Sequence, residues 1–116
     1  MKYILIVDDN INLATVLKIH IEVITKHKVD LAYTFDEMKK LIAKKDYDII
    51  LLDYMLDTKS SLHRLAIYPF IPKDTKIAMI SGYPKNHVFD DMNIHNITTF
   101  FEKPINIKKL IDFINE

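Results

Sequence analysis

Five short apolar runs divide the chain, at Tyr3–Val7, Val29–Tyr33, Ile49–Leu52, Ile77–Ile80 and Ile97–Phe101. Three of them, YILIV, IILL and IAMI, are continuous rather than alternating, which is how strands buried on both faces of a parallel sheet read. VDLAY and ITTFF are mixed, as suits strands nearer an edge. A helix-like segment follows each run. In the first, Leu13, Leu17, Ile21 and Ile24 form one apolar stripe, with Asn10 and Asn12 both candidate N-caps. The second, TFDEMKKLIAKKD, opens on Thr34 with Glu37 three residues later, a capping-box pattern, and carries Met38, Leu41 and Ile42 on its apolar side. The last, NIKKLIDFINE, sets Leu110, Ile111 and Ile114 on one face behind an Asn106 cap. The third and fourth are weakly marked: Pro69 and Pro72 end one early, and the other has a thin stripe through Val88 and Met92.

Strands alternating with helices predict an α/β domain over residues 1–116, with a parallel sheet, right-handed crossovers and helices on both faces. With no linker, repeat or low-complexity segment, the expectation is one domain and no output domain. In such open sheets, ligands bind outside the carboxyl ends of the strands.

Composition removes several function classes. The 116 residues are 49% hydrophobic, enough for a core without disulfide or metal staples. The absence of cysteine excludes thiolate chemistry. Sixteen basic residues balance sixteen acidic ones with no basic stripe, so direct nucleic-acid binding is not expected. No apolar stretch approaches the roughly 20 residues of a membrane span, and the first is too short for a signal peptide. A soluble, cytoplasmic protein without membrane insertion is expected.

The carboxyl ends of the runs carry the chemistry. The first ends in Asp8 and Asp9, the third in Asp53, the fourth in Ser81, and the fifth leads to Lys103. Two carboxylates about 4 Å apart repel by roughly 4 kcal/mol at an effective dielectric near 20, so three must protonate or share a cation. Hard oxygen ligands without cysteine or clustered histidine select Mg2+. With a nucleophilic aspartate, a lysine and a hydroxyl, the set suits phosphoryl transfer through an acyl phosphate. Taken singly, Asp8 and Asp9 read as a helix cap, Asp53 and Ser81-Gly82 as turns, and Lys103 as a solvated surface lysine. Their conjunction on strand ends favours a site.

ILIVDDN, IILLDYML, MISGY and FFEKPI, in this order, resemble the response-regulator receiver domain of two-component signalling, over essentially the whole chain. The resemblance implies a flavodoxin-like, doubly wound five-stranded parallel sheet of order 2-1-3-4-5 with five helices in three layers. It implies that Asp53 is the phosphoacceptor. Asp9 is then the direct Mg2+ ligand and Asp8 its partner, with Asp53 and the backbone carbonyl of Met55 completing the protein's share; Mn2+ is an alternative ion. Ser81 matches the hydroxyl that moves to the phosphoryl group, and Lys103 the lysine that pairs with Asp53 or its phosphate. Phe100 holds the switch position beside Ser81, and the Lys103–Pro104 bond is expected to be cis. Met55 and Tyr83 occupy the positions that influence how readily water reaches the acyl phosphate. Both are bulky, so slow self-dephosphorylation is expected.

Implied partners are a histidine kinase or phosphotransfer protein as donor, and a downstream protein reading the face of the fourth helix, fifth strand and fifth helix. Such a chain is a stand-alone switch and no enzyme beyond its own phosphorylation and dephosphorylation. Three features depart from the family pattern. Asp57 stands where proline is usual, the glycine common a few residues later is missing, Gly82 being the only glycine in the chain, and Phe100 lacks the hydroxyl of a tyrosine switch.

Two other classes remain open. A small phosphatase similar to the haloacid dehalogenases uses a comparable set, but VDDN is no Asp-x-Asp motif, and Asp90-Asp91 precedes Lys103. An interaction module that has lost the chemistry is the other. His20, His27, His63, His87 and His95 show no metal-ligand spacing. Asp90 and Asp91 read as a solvated helix face, and Tyr68 and Phe70 as core and loop or a docking patch.

Overall fold

The computed structural model describes residues 1–56, 59–60, 71–84, 97 and 99–116, the last pair before the gap at 61 by backbone only. The first strand, β1, is Tyr3–Val7, and it runs into the helix α1, Ile11–Ile24. Strand β2 (Lys28–Ala32), helix α2 (Phe35–Lys44) and strand β3 (Ile49–Asp53) follow. Two two-residue strands, β4 (Met55–Leu56) and β5 (Lys59–Ser60), pair antiparallel directly after β3. Strands β6 (Lys76–Ser81) and β7 (Thr99–Glu102) lead to helix α3 (Ile107–Ile114).

The main sheet is parallel throughout, in the order β2-β1-β3-β6-β7. That is the expected 2-1-3-4-5 order, interrupted in numbering only by the small hairpin. The continuous apolar runs are continuous because each strand feeds two cores. Alternate residues point to opposite faces. On one side Leu5, Val7, Ile50, Leu52 and Met79 pack with Phe35 and Met38 of α2. On the other, Ile4, Ile6, Ile49, Leu51, Ala78 and Ile80 pack with Ala14, Leu17 and Ile21 of α1 and with Leu110, Phe113 and Ile114 of α3. Both mixed runs lie at the edges, as their composition predicts, with β2 beginning one residue earlier and β7 shifted toward Glu102.

Caps settle the helix boundaries. Asn10, not Asn12, caps α1: its Oδ1 accepts from the Leu13 N–H at 3.1 Å. Ile24, expected in the core stripe, is exposed, because Thr25 closes the helix there with its N–H on Ile21 O at 2.9 Å. Thr34 accepts from the Glu37 N–H as expected. The returning Glu37 carboxylate takes the Tyr33 N–H at 2.9 Å, one residue before the cap. Asn106 caps α3 through the Lys109 N–H. The expected third and fourth helices, with Pro69, Val88 and Met92, lie outside the described residues. So do Asp57, His63, Tyr68, Phe70, His87, Asp90, Asp91 and His95.

Candidate functional site

Sheet register decides which side chains meet. Val7 is level with Leu52, so Asp8 and Asp53 leave adjacent strands side by side. Asp53 is level with Ile80, and Ser81 with Glu102, which brings Ser81 and Lys103 to the same rim. Main-chain bonds extend these ladders past the strand ends. The Asp8 N–H donates to Ala32 O at 3.0 Å, Tyr54 N–H to Ile80 O at 2.8 Å, and Lys103 N–H to Ser81 O at 2.8 Å.

The result is a compact acidic centre. One carboxylate oxygen from each of Asp8, Asp9 and Asp53 lies within 4.8 Å of the others. Asp8 and Asp53 are buried, at 1% and 6% exposure, while Asp9 faces solvent. Lys103 Nζ stands 3.2 Å from Asp8 Oδ2 and 3.6 Å from Asp53 Oδ1. Asp8 Oδ1 accepts from the Asn10 N–H at 2.9 Å, and Asp53 Oδ1 accepts a long bond of 3.4 Å from the Met55 N–H.

One atom of this centre is not satisfied. Asp8 Oδ2 is buried and accepts no hydrogen bond, although Lys103 Nζ is within ion-pair distance. The ammonium therefore offsets its charge without filling its lone pairs. Buried carboxylate oxygens are costly to leave this way. A hard cation bound by Asp8, Asp9 and Asp53 would take up that oxygen, and the all-oxygen donor set fits Mg2+. The electrostatics agree. Burial lifts the Asp53 carboxyl, the neighbouring Asp8 charge lifts it further, and Asp9 adds to this. The Lys103 ammonium and the Met55 N–H pull it back, leaving it at about 6.

Of the other expected site residues, Ser81 is buried, and its Oγ accepts from the Tyr83 N–H at 2.8 Å. Phe100 lies on β7 level with Met79, half-buried against the α2-side core. Met55 begins the small hairpin, and its side chain is half-buried. The Lys103–Pro104 peptide is cis, as expected. Sequence reading missed three things here: the β4–β5 hairpin, the closer approach of Lys103 to Asp8 than to Asp53, and Tyr54. The Tyr54 ring is buried and meets the Tyr83 ring edge-to-face, with centroids 6.1 Å apart. The apolar flanks of Asp53 signal strand burial and carry no sign of a ring contact across strand ends.

Comparison with solved structures gives the same fold. The receiver domain of the Francisella response regulator 1452 is 22% identical, with TM-score 0.85 over 99% of this chain and 94% of that one. A CheY-like response regulator receiver domain protein from Methanospirillum hungatei is 23% identical, with TM-score 0.87 over 99% and 91%. A Burkholderia pseudomallei response regulator, solved with a phosphorylated aspartic acid, calcium ion and citrate, is 24% identical, with TM-score 0.85 over 96% and 65%. Among curated proteins none matches. The family model of the response regulator receiver domain matches residues 4–115, from the second residue of β1 to just past α3. On that match, the chain belongs to the receiver-domain family of two-component response regulators.

Proposed function

We propose that Asp53 is the phosphoacceptor of a switch that takes its phosphoryl group from a histidine kinase or phosphotransfer protein in the presence of Mg2+. The observation that carries this is the acidic centre itself: three converging carboxylates, one buried oxygen among them without a hydrogen bond, beside a single lysine. A carboxylate oxygen of Asp53 attacks the phosphorus of a donor phosphohistidine. The new P–O bond forms as the P–N bond breaks, and the imidazole leaves with the electron pair and takes up a proton. Asp8, Asp9, Asp53 and the Met55 carbonyl hold the metal, Mg2+ or Mn2+, which when bound neutralises charge on the transferring oxygens. Lys103 then pairs with the phosphoryl oxygens, and Ser81 turns its hydroxyl toward them. The phosphorylated aspartate and calcium ion of the Burkholderia relative are in keeping with this chemistry.

Receiver domains are switches rather than classical enzymes. In this reading residues 1–116 act as one unit, and Ser81 and Phe100 couple the acceptor to a surface built on β7, α3 and the expected fourth helix. A downstream protein binds there. Among the described residues no helix is long and apolar enough to cross a membrane, which fits the cytoplasmic setting such a switch requires.

Intact mass after treatment with acetyl phosphate and Mg2+ tests the proposal. One added phosphoryl group is expected on the wild type and none on Asp53→Asn or without the metal. Equal modification of both, or of neither while folded, counts against Asp53. Bulky Met55 and Tyr83 slow water's access, so the phosphoryl group is expected to persist well beyond seconds in the purified protein; a half-life of seconds overturns that part.

A further inference from the structure

Tyr54 and Tyr83 flank the acceptor and the hydroxyl, and they touch each other. Tyr54 follows Asp53 directly. Its main chain is pinned to β6 by the N–H bond to Ile80 O, and its ring is 7% exposed within the α2-side core. It is a fixed point. Tyr83 is the opposite: 44% exposed and two residues past Ser81, on the segment that leaves β6. Its N–H donates to Ser81 Oγ, and its ring leans on Tyr54 at 75°. One residue thus holds the Ser81 hydroxyl through its backbone and is itself held through its ring.

We propose that the Tyr54–Tyr83 contact is a latch that favours the unphosphorylated arrangement, with both tyrosines acting as positioning residues for Ser81. The inference rests on the phosphoacceptor reading of Asp53. For the Ser81 hydroxyl to turn toward a phosphoryl group on Asp53, it has to leave the Tyr83 N–H, which releases the segment after β6 and Tyr83 with it. Aromatic pairs are attractive at centroid separations of roughly 4.5–7 Å. At 6.1 Å this pair lies toward the long end of that range, so a movement of about 1 Å that parts the rings ends the contact. A contact present in one state and absent from the other biases the equilibrium between them. Removing it favours the phosphorylated form by roughly two- to tenfold, the worth of one aromatic edge contact.

The probe is beryllofluoride with Mg2+, titrated by fluorine NMR into the wild type, Tyr83→Ala, Tyr54→Leu, the double variant and Tyr83→Phe. Both single alanine and leucine variants are expected to bind the phosphoryl mimic two- to tenfold more tightly. The double variant is expected to gain no more than one single, because both remove the same contact, and Tyr83→Phe keeps wild-type affinity. A merely structural role has the opposite sign, since loosening the fold weakens the adduct. Unchanged or weaker binding by Tyr83→Ala, or gains that multiply in the double variant, overturns the latch. Tyr83 is exposed enough for its alanine variant to fold, so that variant decides even if Tyr54→Leu does not fold. Absence of any adduct on folded wild-type protein defeats the Asp53 reading and the latch together, an outcome distinct from variants that merely match the wild type.

Discussion

Lys103 Nζ lies 3.2 Å from Asp8 Oδ2 and 3.6 Å from Asp53 Oδ1, so a single ammonium is shared between two buried carboxylates. With Asp9 alongside, three negative charges face one positive charge among the described residues, a difference of two. That residue of charge is what a divalent cation offsets. It also explains why the Asp53 carboxyl rests at about 6 in the metal-free protein: burial and the Asp8 charge outweigh what one half-buried lysine supplies.

Replacing that lysine isolates its share. In Lys103→Met the Asp53 carboxyl is expected to rise further, by roughly one unit or about 1.4 kcal/mol. The ionised nucleophile then becomes scarce near neutral pH. Carbon NMR of the Asp53 carboxyl in chelator, followed across pH 4 to 9, should show its midpoint move upward relative to the wild type. A profile superimposable on the wild type would mean that Lys103 does not govern the charge on Asp53.

Asp53→Asn is expected to stabilise the metal-free protein while abolishing phosphorylation. The folded carboxyl sits near 6, above the ordinary value of 3.8, so folding favours its protonated form. That contribution is fully present below pH 4 and is lost as pH rises through 6. Above pH 6 the buried charge costs on the order of 1–3 kcal/mol, and asparagine carries no such charge. Urea unfolding at pH 5 and pH 8 with chelator present should find the variant's advantage larger at pH 8. An advantage that shrinks with rising pH would contradict the sign.

Magnesium should act as a stabiliser through the same three carboxylates. Ligand that binds only the folded state adds about 2.7 kcal/mol at a hundred times its dissociation constant. A melting temperature several degrees higher in excess Mg2+ than in chelator is therefore expected for the wild type. Asp9 is exposed, so Asp9→Ala should fold as well as the wild type in chelator and gain little from the metal. An equal gain in both proteins would remove Asp9 from the ligand set.

Much of this architecture is legible in the sequence because strand burial and strand ends are local signals. Continuous runs such as IILL identify central strands, and the residues that end them, Asp8, Asp53 and Ser81, fall on the rim as read. What is not legible depends on register and on which rotamer a long side chain adopts. Nothing in FFEKPI says that Lys103 reaches Asp8 more closely than Asp53, because that follows from how β1, β3, β6 and β7 align. The β4–β5 hairpin is also hidden, because two-residue strands leave no periodicity to detect. Ile24 fits the stripe of α1 by spacing alone, but spacing carries no information on where Thr25 stops the helix.

Far from the acceptor, Asp30 is expected to move stability with pH in the opposite direction to Asp53. Burial pushes its carboxyl up, but the Tyr47 hydroxyl, donating at 2.7 Å, and Lys45, at 3.2 Å, outweigh this and hold it below the usual range. A depressed carboxyl contributes stability above its unfolded value, near 3.9, and loses it as pH falls through the lower folded value. Tyr47→Phe removes one donor while keeping the ring in the α2-side core. Hydrogen bonds to charged groups are worth about 1.5–3 kcal/mol, and Asp30 is exposed enough to reduce that to about 1 kcal/mol here. Chemical unfolding should therefore find Tyr47→Phe weaker than the wild type by about 1 kcal/mol at pH 7, with the deficit closing toward pH 2 as Asp30 becomes protonated. A deficit independent of pH would assign the loss to packing around the ring rather than to the bond with Asp30.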